Sequence, residues 1–157
     1  MKYKILLTLF LNLAFLQTFH SQEKAEGAIR EYTLTIEKQK VNFTGKEVMG
    51  MTVNGSIPGP TLEFTEGDQA VIHVVNKMDV ETSIHWHGLI LPNFQDGVPY
   101  LTTPPILPGT TFTYKFPIIQ SGTYWYHSHT MLQEQSGVFG SIMIHPKQKT
   151  LDYDKDL

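Results

Sequence analysis

The spacing of turn residues does most to limit what this chain can become. Its 12 glycines and 9 prolines divide it into short runs in which apolar and polar residues alternate. Alternation puts successive side chains on opposite faces of a strand, whereas a helix needs apolar residues three and four apart. In residues 30–37, Tyr32, Leu34 and Ile36 alternate with Thr33 and Thr35. In residues 110–116, Phe112, Tyr114 and Phe116 alternate with Thr111, Thr113 and Lys115. Residues 47–53, 61–64, 69–76, 82–87, 123–129 and 138–145 read as further strands. Glycine turns at Gly45, Gly67 and Gly122 separate some of them. Proline-bearing loops at 54–60 and 91–108 cannot join a sheet interior. Residues 131–135 read as one helical turn. About eight short strands at close spacing predict a single all-β domain, a Greek-key β-sandwich or barrel.

The ends of the chain read differently. Lys2 and Lys4 precede an almost wholly apolar run over residues 5–19, and a small residue, Ser21, follows. This is the pattern of a signal peptide spanning 1–21. A membrane anchor is the alternative, but the run is shorter than the roughly 20 residues a span needs, and Asn12 and Gln17 interrupt it. Residues 22–29 read as a flexible lead-in, 30–146 as the domain, and 147–157 as a charged connector or tail. The expectation is an exported protein, periplasmic or secreted, with no membrane span after cleavage. Without residues 1–21 the 12 Lys and Arg fall to 10, against 15 Asp and Glu, a formal charge of −5. No basic patch offers itself to nucleic acid. The chain has no cysteine, which removes disulfides, thiolate ligands and any cysteine nucleophile.

Four of the seven histidines fall in two units, His85-Trp86-His87-Gly88 and His127-Ser128-His129. On a strand, side chains at i and i+2 share a face, so each unit presents two imidazoles side by side. If the two strands are neighbours, four imidazoles converge on one volume. Neutral imidazole suits copper, zinc, iron and nickel, and divalent copper binds such sites most tightly of the first-row ions. The alternative is two pairs of surface histidines. His73, mid-strand, reads as a rim or cross-strand residue; His145 reads as solvated; His20 belongs to the signal segment.

Further motifs resemble one family in combination. Val53-Asn54-Gly55 with Pro58-Gly59-Pro60-Thr61, then His85-Trp86-His87-Gly88, resemble the first cupredoxin (plastocyanin-like) domain of multicopper oxidases. So do Asp96-Gly97-Val98-Pro99, Gly122 through His129, and Gly137-Val138-Phe139-Gly140. Leu132-Gln133-Glu134-Gln135 is most similar to the periplasmic copper-resistance branch. The resemblance implies a laccase-like context. There, a type 1 copper takes electrons and a trinuclear copper cluster, held by eight histidines between the first and last domains, reduces dioxygen to water. It implies type 2 copper at His85, and the type 3 pair at His87, His127 and His129. It also implies that Asp96 assists proton delivery; the other reading of Asp96 is a turn residue before Gly97. Trp86, Trp125, Tyr124 and Tyr126 are expected to pack and shield the site.

The chain also departs from that family. Neither an H-x-x-H-x-H nor an H-C-H unit is present, and the six methionines (Met1, Met49, Met51, Met78, Met131, Met143) form no metal-binding run. The resemblance therefore implies four of eight cluster ligands and no type 1 site. The expected function is the N-terminal domain of a laccase-type oxidase, as a fragment or split gene product. Its partners would be copper ions, a complementing chain with an H-C-H motif, and dioxygen only once further domains complete the site. The alternatives are a small exported copper-storage protein and a remnant that binds nothing useful.

Overall fold

The computed structural model describes residues 27–148. The signal segment 1–21, residues 22–26 of the lead-in and residues 149–157 of the tail lie outside the described residues. The strands are β1 (Ile29–Val41), β2 (Val48–Val53), β3 (Leu62–Thr65), β4 (Gln69–Asn76), β5 (His85–His87), β6 (Thr111–Pro117), β7 (Gly122–His127) and β8 (Phe139–His145). They form two four-stranded sheets, β2-β1-β4-β6 and β3-β8-β7-β5. From β2 to β7 every connection passes from one sheet to the other. Each sheet contains one parallel pair, β1 with β4 and β3 with β8, and the remaining pairs are antiparallel. This is the expected all-β sandwich.

Alternation decides which residues fill it. Leu34 and Ile36 of β1, Ile72 and Val74 of β4, and Tyr114 and Phe116 of β6 are buried from one sheet. Leu62 and Phe64 of β3, Ile142 and Ile144 of β8, Trp86 of β5 and Tyr126 of β7 are buried from the other. Each fully buried side chain of this size contributes roughly 1.5–3 kcal/mol by leaving water. Tyr126 needs room: its hydroxyl donates to Pro60 O at 2.9 Å and lies over Gly140, its register partner on β8. A Cβ on Gly140 would strike that phenol ring.

Several boundaries differ from those read in the sequence, among them the start of β5, at His85 and not at residue 82. β1 begins at Ile29, inside the expected lead-in, and Ala28 N donates to the Asp68 carboxylate at 3.0 Å. β1 also continues to Val41, because β2 pairs with it as far as Val41 opposite Val48. Residues 131–135 form consecutive turns rather than a helix, with Ser136 N donating to Leu132 O at 3.1 Å. The long loop 91–108 contains a 3-10 turn at Asn93–Gln95. Buried Gln95 pins that loop by accepting from Lys115 N of β6 at 2.6 Å. Among the described residues, no helix is long and apolar enough to cross a membrane.

Candidate metal centre

The two histidine strands are neighbours. β5 is an edge strand paired antiparallel with β7, placing His85 opposite His127, Trp86 opposite Tyr126 and His87 opposite Trp125. Since Trp86 and Tyr126 fill the core, the strand period turns His85, His87 and His127 to the outer face. A ligating nitrogen from each of these three lies within 4.8 Å of the others. The His85 ring centroid is 5.7 Å from that of His87 and 5.4 Å from that of His127.

His129 reaches the same place by another route. β7 ends at His127, two residues before the end expected from the sequence. Ser128 N bonds to Val138 O at 2.9 Å, and the chain then turns off the strand. His129 is held by its own N–H, which donates to Ser83 Oγ at 3.0 Å. Its ring centroid lies 5.7 Å from that of His85 and 6.1 Å from that of His127. Four rings therefore gather, three of them tightly.

Hydrogen bonds show which nitrogens remain for a metal. His85 Nδ1 lies 2.7 Å from Asp96 O, so Nε2 is its free nitrogen. His127 Nδ1 lies 3.0 Å from Ser128 O and 2.9 Å from Glu134 Oε2, so its Nε2 is free as well. That Nε2 faces Nδ1 of His87 at 3.3 Å. Two imidazole lone pairs face each other at that distance only with a proton or a cation near both. His87 is steadied by packing against Trp125, at 5.1 Å between centroids, and Trp125 stacks on His127 at 4.1 Å. Burial lowers the His127 pKa below the ordinary value, with further lowering from His85 and His87; Ser128 O and Glu134 act in the opposite sense. The net effect favours neutral imidazole, the form that ligates.

Asp96 is placed beside His85 by Gly97. Gly97 has φ 84°, and a Cβ there would collide with Ile84 O, just before β5. Its N–H donates to Thr103 Oγ1 at 2.9 Å. The Asp96 carbonyl thus faces His85, while its carboxylate oxygen Oδ1 stays 3.6 Å from His85 Nδ1 and is partly open to solvent.

Beneath the rings lies a polar network that strand and motif reasoning did not single out. Gln133 is buried; its Oε1 accepts from Thr82 Oγ1 at 2.7 Å and Ser128 Oγ at 3.0 Å, and its Nε2 donates to Glu81 O at 2.7 Å. Ser83 and Thr130 hydroxyls meet at 2.8 Å. These bonds tie the approach to β5 to the segment after β7. The available signal was the run of Ser and Thr flanking both histidine units. The remaining described histidines lie elsewhere. His73 bridges Thr113 and Glu31, each at 2.8 Å, and half-exposed His145 lies 3.7 Å from the Glu63 carboxylate.

A model of the multicopper oxidase family matches residues 35–149. The chain belongs to the multicopper oxidase family. It is 51% identical over 118 residues to a copper resistance protein A homolog from Pseudomonas syringae pv. tomato, covering 75% of this chain and 20% of that one. It is 47% identical over 127 residues to copper resistance protein A from Escherichia coli, covering 80% of this chain and 21% of that one. Among solved structures, the laccase from Botrytis aclada superposes with a TM-score of 0.72 at 46% identity, over 76% of this chain and 23% of the laccase. The chain thus spans about a fifth of the curated relatives it matches. The fold is that of a multicopper oxidase cupredoxin domain.

Proposed function

We propose that this chain acts as the N-terminal cupredoxin domain of a laccase-type, copper-resistance oxidase, supplying one wall of a trinuclear copper site. The observation that carries the proposal is the convergence of His85, His87 and His127, with nitrogens within 4.8 Å and two Nδ1 atoms already committed to acceptors. That donor set is all nitrogen and fits copper, the metal of the family. On this reading His85 serves the type 2 position, and His87, His127 and His129 serve the type 3 pair. When bound, copper supplies one-electron redox chemistry toward dioxygen.

The protein's own residues hold and shield the site. Asp96 O and Ser128 O orient His85 and His127, and Trp125 covers His87 and His127. On this reading Asp96, whose Oδ1 stands 3.6 Å from His85 Nδ1 at a partly exposed edge, assists proton delivery to the site. His87 and His129 are exposed, as are Ile90, Phe94, Met131 and Leu132, which follow the two histidine units. Exposed apolar residues beside exposed ligands suit a face that another domain covers. Any copper–thiolate site comes from elsewhere, because the sequence has no cysteine. We place the protein outside the cytoplasm, exported by residues 1–21. No feature of the site favours a copper-storage protein over this reading.

Oxygen uptake with a phenolic or cuprous donor tests the proposal. The chain alone is expected to give no four-electron turnover to water, and activity should appear when a last-domain chain bearing H-C-H is added. Laccase-like turnover to water by the pure chain would overturn the proposal, as would no turnover in the presence of a folded, copper-loaded partner.

A further inference from the structure

The segment Leu132-Gln133-Glu134-Gln135 carries a carboxylate that the functional reading does not use. Glu134 Oε2 lies 2.9 Å from His127 Nδ1, beside the Ser128 carbonyl that accepts its N–H at 3.0 Å. His85 is arranged differently: a carbonyl is its near acceptor at 2.7 Å, and the Asp96 carboxylate stands off at 3.6 Å. Glu134 comes from the turns that follow the second histidine unit, and those turns are fixed by its buried neighbour Gln133. Glu134 is itself about one-third exposed, and it reaches inward to the least exposed ring of the cluster.

We propose that Glu134 is a positioning residue. Its carboxylate sets a negative charge 2.9 Å from His127 Nδ1, behind the N–H that Ser128 O accepts, and holds that imidazole in one tautomer with the Nε2 lone pair aimed at His87 and the metal position. A negative charge this close favours the tautomer that carries its proton on Nδ1. A carboxylate behind a ligating imidazole fixes the ring and raises its basicity, and losing it typically costs roughly 10–100-fold in metal affinity. The inference rests on the copper reading for its consequence, but the tautomer it assigns belongs to the metal-free chain.

The experiment therefore has two parts, each run on the wild-type chain and on Glu134→Gln and Glu134→Ala. Imidazole nitrogen shifts of His127 are read by NMR in the metal-free protein at a pH where the ring is neutral. Divalent copper affinity is then measured by chelator competition. Wild-type His127 should show the Nδ1–H tautomer alone. Glu134→Ala should give a mixture of tautomers and bind copper about 10–100-fold more weakly. Glu134→Gln, which keeps an oxygen dipole there but not the charge, should fall between them. This ordering separates positioning from mere packing, because the two variants differ in the dipole they leave beside Nδ1. An unchanged tautomer and affinity in Glu134→Ala would overturn the inference. So would a mixed tautomer in the wild type. A locked wild-type tautomer that Glu134→Ala releases, in a chain that binds no copper at all, would support the Glu134–His127 assignment and overturn the copper reading.

Discussion

Two histidine sites sit on the outer faces of the two sheets, and they differ in what is left over. On β4, His73 spends both ring nitrogens within the protein, on Thr113 and Glu31 at 2.8 Å each. On β5 and β7, the protein provides acceptors for one nitrogen of His85 and one of His127, leaving the other nitrogen of each turned toward the cluster. Both sites come from the same strand alternation. A structural histidine is saturated by its neighbours; a ligand histidine is oriented through one nitrogen so that the other stays available.

The largest effect expected from this contrast is on metal content. Replacing His85, His87, His127 and His129 together by Ala should abolish stoichiometric copper binding, while His73→Ala should leave it unchanged; elemental analysis after dialysis reads both. Equal losses in the two variants would break the distinction.

Acidification should act next most strongly, through the metal-binding cluster. Copper requires neutral imidazole, so binding should weaken as pH falls through about 6.5. His127 stays neutral to lower pH than a free histidine, because burial lowers its pKa. The same shift has a stability consequence in the metal-free chain. The unfolded chain takes up this proton at higher pH than the native state, so the stability from neutral His127 is present in full above about 6.5 and declines below it. Urea titrations at pH 7 and pH 5 would show the decline.

Gln133→Ala should destabilise the chain by about 2–4 kcal/mol, since it strands the buried hydroxyls of Thr82 and Ser128 and the Glu81 carbonyl. His73→Ala should cost under about 1 kcal/mol, because its contacts with Thr113 and Glu31 lie on a partly exposed face. Urea denaturation compares them directly, and a larger loss at His73 would reverse the assignment of which site is built into the fold.

How much of this was legible in the sequence depended on range. β4 matched its expected bounds, because its apolar alternation is purely local. The end of β1 did not, because its last residues are held by pairing with β2, which local alternation does not reveal. β7 ends early because Val138 N, next in register, donates to Gln133 O and not back to β7, again a contact made in space. His85, His87 and His127 share a face because of i, i+2 spacing on paired strands, whereas His129 lies past the end of β7 and reaches them through the turn after Ser128. Their supports could not be read in the sequence: Gln133 reaches Thr82 across 51 residues, and Glu134 reaches His127 through a series of turns that sequence suggested as helix. At Asp96 the motif pointed to a carboxylate, whereas the group nearest His85 is the carbonyl.

The central claim is that an open, all-nitrogen cluster on the β5–β7 edge holds copper. X-ray absorption at the copper edge, on the full chain loaded with divalent copper, tests it most directly. The expected result is a first shell of nitrogen and oxygen with imidazole scattering, no sulfur contribution, and loss of the imidazole signature in the four-histidine variant. A copper shell without imidazole, or one unchanged in that variant, would contradict it.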